Sequence, residues 1–230
     1  VPKAFPAREA LIYLCAAISL VCGAGLLWRR TAASAARLLF FYLLPWMVVF
    51  KLRFIFLAPT SEGPYQSNGQ NAVIVAGAWV LYVLLAARWD RRYLGFFSGE
   101  MGLRAARVLY GLAMLAFGLS HFFFLNLTVP LVPAWLPWPT GWAYFTGGAY
   151  LAAGLAMITG ILAKPAAILS ALQMGLFTFL VWPPLMLSGT ITASQWREFT
   201  VSWVLTAAAW VVADSYRGAG WVVAGSRIQA

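Results

Sequence analysis

The sequence predicts an all-α protein, a polytopic transmembrane helical bundle of seven spans with its N-terminus outside and its C-terminus in the cytoplasm. Three observations lead there: composition, the lengths of the apolar runs, and the side on which the basic residues fall. Of 230 residues, 63% are hydrophobic and only 10% charged, and the mean hydropathy is +0.81. A soluble domain carries roughly 25% charged residues, so this chain could not cover a water-facing surface. Disorder is excluded by the same numbers, because it needs low hydrophobicity and high charge.

A helix needs about 20 largely apolar residues to cross the hydrocarbon core. The stretches that qualify, or nearly so, are about 9–28, 37–58, 71–88, 104–126, 141–163, 165–182 and 199–215. The first lacks a small-residue cleavage site after a short apolar region, so it reads as a retained helix rather than a signal peptide. Pro45 lies inside the second and should kink it unless neighbouring groups satisfy the freed carbonyl. The fifth carries Gly147, Gly148, Gly154 and Gly160 among many alanines, a pattern that lets helix backbones approach closely. Pro165 suits the first turn of the sixth, and Pro183–Pro184 should end it, since neither can continue the hydrogen-bond ladder.

The formal charge of +10 is an orientation signal rather than a nucleic-acid one, because the basic residues are spread between apolar runs instead of gathered on one soluble face. Arg29, Arg30, Arg37, Arg88, Arg91, Arg92, Arg104, Arg107, Lys164, Arg217 and Arg227 fall on one side of the seven-span pattern. Only Lys3, Arg8 and Arg197 fall on the other, with Lys51 and Arg53 left inside the second span. The positive-inside rule puts the eleven in the cytoplasm. Aromatic belts agree: Trp135, Trp138, Trp142, Trp182 and Trp196 at the outer interface, Trp28, Trp89, Tyr93 and Tyr216 at the inner one. The localisation expected is the inner (plasma) membrane, with the lipid bilayer as the first partner and no nucleic acid.

A shift of 70 residues lays Ala36-Arg37-Leu38-Leu39-Phe40 over Ala106-Arg107-Val108-Leu109-Tyr110, and Gly77, Leu81 and Leu85 over Gly147, Leu151 and Leu155. The identities are few, and apolar segments also match by chance. If real, the repeat is parallel and sets Lys51 over His121 in the outer half of the membrane.

Ionisable groups inside a bilayer are costly and face a cavity or a partner. His121, the single histidine, is a candidate proton carrier or hydrogen-bond partner for a quinone head group; the plainer alternative is an imidazole tying two helices together. Lys51 and Arg53 could snorkel to the outer interface, or one of them could pair with Glu62 or an anionic ligand. Glu198 favours the positive end of the seventh helix, and Ser202, Thr206 and Ala209 below it form a small polar stripe that could line a pocket near His121 and Trp182. Gln173 is the remaining buried polar candidate, more suited to bridging helices than to binding substrate. Asp214 is placed to pair with Arg217. Cys15 and Cys22 are roughly 10 Å apart along one helix, too far for a disulfide. One histidine excludes a bis-histidine haem held by this chain alone, and no C-x-x-C exists for thiol oxidation. No metal ligand set is expected.

Residues 104–217 resemble the DoxX-like family of integral membrane proteins. The resemblance rests on Arg107-Val-Leu-Tyr-Gly-Leu-Ala-Met-Leu-Ala-Phe-Gly-Leu-Ser-His121-Phe and Val132-Pro-Ala-Trp-Leu-Pro-Trp-Pro. It continues through Trp142-Ala-Tyr-Phe-Thr-Gly-Gly, Leu180-Val-Trp-Pro-Pro and Gln195-Trp-Arg-Glu-Phe. It implies a four-helix membrane unit over 104–230, preceded by a three-span region, 1–103, that would be an addition. It also implies a link to quinone-dependent redox chemistry, because some relatives are subunits of a thiosulfate–quinone oxidoreductase. The expected function is therefore a membrane subunit associated with quinone-linked redox chemistry, with a pocket around His121. The alternative is a non-catalytic accessory or scaffold subunit among other membrane or redox subunits. Solute passage is disfavoured by the lack of a polar pore lining.

Overall fold

The computed structural model describes residues 7–58, 60–187, 189 and 192–223. Lys3 and Arg227, both used in the charge count, lie outside the described residues, as does Pro59. Among the described residues there are seven long helices: α1 (Arg8–Leu26), α2 (Ala32–Leu57), α3 (Glu62–Leu85), α4 (Glu100–Phe123), α5 (Pro139–Thr159), α6 (Ala163–Leu187) and α7 (Ala193–Asp214). The described residues form no strand beyond one isolated bridge, Ile161 to Val223. Five helices, α1 to α4 and α6, are long and apolar enough to cross a membrane. α5 and α7 have the length, but their Gly, Thr, Tyr, Trp and charged positions dilute the apolar signal.

Several boundaries depart from the sequence reading. α3 starts at Glu62 instead of near 71, behind Ser61 in extended conformation. Pro64 sits within its first turn, where no backbone donor is needed. α6 does not stop at Pro183–Pro184 but runs to Leu187. Proline's fixed φ is compatible with a helix, and in apolar surroundings unwinding would expose more backbone groups than the two lost N–H donors. Pro45 does disturb α2: directly after it, Trp46–Lys51 form a π-helix, the wider turn that results when the i→i−4 ladder is interrupted. The Leu52 N–H closes it on the Met47 carbonyl.

Packing is a ring. α3 to α7 each lie against the next, and α7 returns to α3; α2 covers α3 from outside and α1 packs on α2. The α4–α5 contact is built from glycines. A Cβ on Gly111 would stand 3.0 Å from the Gly154 carbonyl oxygen, and one on Gly118 2.8 Å from that of Gly147. The two pairs are one heptad apart on antiparallel helices, which brings backbone onto backbone. A Cβ on Gly148 or Gly160, by contrast, would meet no neighbouring side chain or helix within 4 Å; Gly160 instead ends α5 with φ of 78°, a left-handed cap that glycine adopts without strain.

Candidate functional site

The polar residues sort into a cluster at the Lys51 end of the helices, an interior ladder and a cluster at the Asp90 end, the two ends being named outer and inner after the orientation the sequence predicts. At the outer end the π-helix of α2 ends at Lys51, which is half-buried. Its ammonium donates to Ser67 Oγ at 2.7 Å, and its carbonyl accepts from Asn68 Nδ2 at 3.0 Å. A cavity of about 230 Å³ is lined by Lys51, Phe54, Gly63, Pro64, Ser67 and Asn68. Arg53 is not part of it: it is exposed, with its guanidinium 5.0 Å above the Phe54 ring.

Glu198 does not cap α7. That role falls to Thr192 and Gln195, one turn earlier, which close a reciprocal capping box. The Glu198 carboxylate instead accepts from Gln70 Nε2 of α3 at 3.1 Å and pairs with Arg197 at 3.1 Å. Gln70 is about one turn along α3 from Ser67, the partner of Lys51, so Glu198 lies toward the same end of the bundle.

His121 stands near the end of α4, with Nδ1 2.8 Å from the Phe117 carbonyl of its own helix. Its Cβ is packed where a side chain at Gly147 would be, 2.6 Å away, and its ring centroid is 5.7 Å from that of Tyr150. Neither this cavity nor the larger inner one described below is lined by His121. The small polar stripe of α7 is filled from α6: Trp182 Nε1 donates to Ser202 Oγ at 2.8 Å, and Thr178 Oγ1 lies 3.0 Å from Thr206 Oγ1. Trp182 is consequently buried, not in an interfacial belt, and so is Tyr216. Gln173 donates to the Thr146 carbonyl at 3.0 Å, joining α6 to α5, while Tyr110 and Ser170 join α4 to α6 at 3.0 Å. His121, Trp182 and Glu198 therefore each have different partners, and among the described residues no hydrogen bond or ring contact joins them.

The inner end carries what the sequence reading passed over. Asp90, in the short helix Arg88–Tyr93, is 1% exposed. Its carboxylate meets Arg37 at 3.2 Å, the Tyr82 hydroxyl at 3.1 Å and the Ala87 N–H at 3.0 Å. Ser98 Oγ donates to its carbonyl. Arg37 also lies 5.2 Å over the Trp89 ring. Beside it an apolar cleft of about 750 Å³ is lined by Ser34, Arg37, Leu38, Phe41, Trp89 and Leu94. The only sign in the sequence was one acid among three arginines in Arg88-Trp-Asp-Arg-Arg.

Other inner basic residues hold the chain after α7. Arg107 donates to the Ser215 hydroxyl and carbonyl and covers the Tyr216 ring at 3.9 Å. Burial pushes the Tyr216 phenol up, and the Arg107 charge offsets part of that. Lys164 donates to the Arg217 and Ala219 carbonyls, both at 3.1 Å. Asp214 pairs with Arg217 as the spacing indicated. Cys15 and Cys22 are both free thiols. Among the described residues no three His, Cys, Asp or Glu side chains converge as a metal site would require. No protein-family model, curated protein or solved structure matches the chain.

Proposed function

We propose that the chain is a non-catalytic subunit of an inner-membrane assembly, seven-pass, with its N-terminus outside and its C-terminus in the cytoplasm. One observation carries the reading. The interior polar side chains of α4 to α7, from Tyr110 and Ser170 through Gln173 and Thr178 to Trp182, Ser202 and Thr206, bond helix to helix, so they serve the bundle rather than a reaction. Purification in a mild detergent followed by mass spectrometry tests it: a stoichiometric partner subunit is expected, and a chain that always runs alone defeats the reading. Labelling single cysteines at Gln195 and Arg30, in a chain with Cys15 and Cys22 replaced, tests the orientation. Gln195 should react from outside and Arg30 from the cytoplasm.

The quinone-linked reading is second, supported by the likeness of residues 104–217 to DoxX-like proteins and by the inner apolar cleft. A quinone carbonyl accepting from Arg37, with its ring against Trp89, suits that cleft better than the packed surroundings of His121. Organic extraction of the purified protein decides it. Bound quinone that is lost in Arg37→Ala but kept in His121→Ala supports the cleft. Quinone absent from the wild type removes the reading.

A further inference from the structure

The cleft at the Asp90 end joins an apolar wall to charge that nothing in the chain balances. Leu38, Phe41, Trp89 and Leu94 line it together with Ser34 and Arg37, around a space of about 750 Å³. Leu38 is 48% and Trp89 54% exposed, so the cleft opens on the apolar rim of α2, the surface that acyl chains cover in a bilayer. Its wall is fixed from behind. Asp90 is the one buried residue of the helix Arg88–Tyr93, and its carboxylate holds Arg37 of α2. Trp89, Tyr93 and Phe96 are exposed beside Arg88, Arg91 and Arg92, the aromatic and basic mixture of a segment lying at a membrane interface.

The charge is one-sided. Arg88 adjoins Trp89, Arg92 follows it by three residues, and Arg30 precedes Ser34 by four; none of the three is in an ion pair among the described residues. Asp90 takes one donor of Arg37, and a guanidinium has five. The positive-inside rule accounts for arginines at this end, but it does not call for an open apolar cleft lined by one of them. A neutral amphiphile would leave the arginines unanswered, and a soluble anion would leave the apolar wall uncovered. We propose that the cleft binds an anionic phospholipid, one acyl chain against Leu38, Phe41 and Trp89 and the phosphate accepting from Arg37 and the arginines flanking Trp89, charge-assisted contacts. The site rests on the membrane placement alone, not on the subunit reading, and it takes the cleft in preference to a quinone, which is neutral.

The test is native mass spectrometry of the full chain in detergent, titrated with phosphatidylglycerol and phosphatidylcholine of identical acyl chains and with soluble glycerophosphoglycerol. One phosphatidylglycerol should bind per chain, at least about fivefold more tightly than phosphatidylcholine, the worth of one arginine at an anionic surface. Arg88→Gln with Arg92→Gln should remove most of that preference. Arg8→Gln with Arg53→Gln, which takes the same charge from exposed positions at the opposite end, should keep it. Ser34→Trp, from an exposed position, fills the cleft and should weaken phosphatidylglycerol about tenfold. Equal affinity for the two lipids, competition by glycerophosphoglycerol, or unchanged binding in either the Arg88 and Arg92 pair or Ser34→Trp overturns the proposal. A quinone in the cleft that phosphatidylglycerol does not displace overturns it in favour of the quinone reading. Lipid bound with this pattern by a chain that always runs alone supports it while defeating the subunit reading.

Discussion

α1 and α3 make an instructive pair. α1 is the more apolar of the two, yet only 6% of its most apolar stretch is buried in the protein, against 67% for α3. In water the order would be reversed, since hydrophobic burial drives folding there. Lipid tails are as apolar as leucine, so a membrane helix gains nothing by hiding leucines from them. What goes inside is what packs closely or needs a partner: Asn68, Gly69, Ala72, Ala76 and Gly77 of α3 are buried, while Leu14, Leu20 and Val21 of α1 are exposed. High hydropathy marks the rim of this molecule, and small or polar residues mark its centre.

Substitutions can break that contrast. The largest effect is expected from Gly118→Leu or Gly154→Leu, because the added atoms meet Gly147 or Gly111 backbone oxygens that cannot move aside. The loss should exceed about 3 kcal/mol, the upper end for overpacking, and show as loss of the folded peak in fluorescence-detected gel filtration. Gly23→Leu on α1, with nothing within 4 Å, should leave that peak in place; equal damage at both sites would sink the rim-and-centre distinction. Next comes Asp90→Ala, which strands the Tyr82 hydroxyl, the Ala87 N–H and Arg37. About 3 kcal/mol is expected, read as a lowered thermal midpoint in detergent, and the double variant Arg37→Ala with Asp90→Ala should cost less than the sum of the singles.

Smaller still is Thr178→Val, which removes the α6–α7 hydroxyl contact at nearly constant volume. Membrane hydrogen bonds of this kind average about 0.6 kcal/mol, so a midpoint shift of only a degree or two is expected.

The helical class and the apolar stretch of each long helix were legible because apolar runs of this length have few alternatives, although α3 begins nine residues before its apolar run. The Lys51 site was legible only in part. Lys51 stands out as a charge inside an apolar run, but Ser67 and Asn68 precede the apolar stretch that marks α3 from about 71. Polar residues in a first turn carry no hydropathy signal, although Ser61 and Pro64 are ordinary helix-start residues. Trp182 and Glu198 were expected to share one pocket with His121, whereas Trp182 bonds Ser202 and Glu198 bonds Gln70, because sequence spacing orders residues along helices and says nothing of which faces meet. Asp90 was hidden by its basic neighbours.

By itself the sequence determined the all-helical class and the presence of several helices apolar enough to cross a membrane, since both depend on local composition and on what a bilayer tolerates. The tertiary structure alone decided which small residues meet, that α3 closes the ring between α4 and α7, and that Asp90 is the buried partner of Arg37. It also separated His121 from the outer polar cluster and placed Asn68 against the π-turn that Pro45 imposes. Those outcomes depend on the rotation of one helix against another, which van der Waals fit and hydrogen-bond partners set across the chain and no local run of residues records.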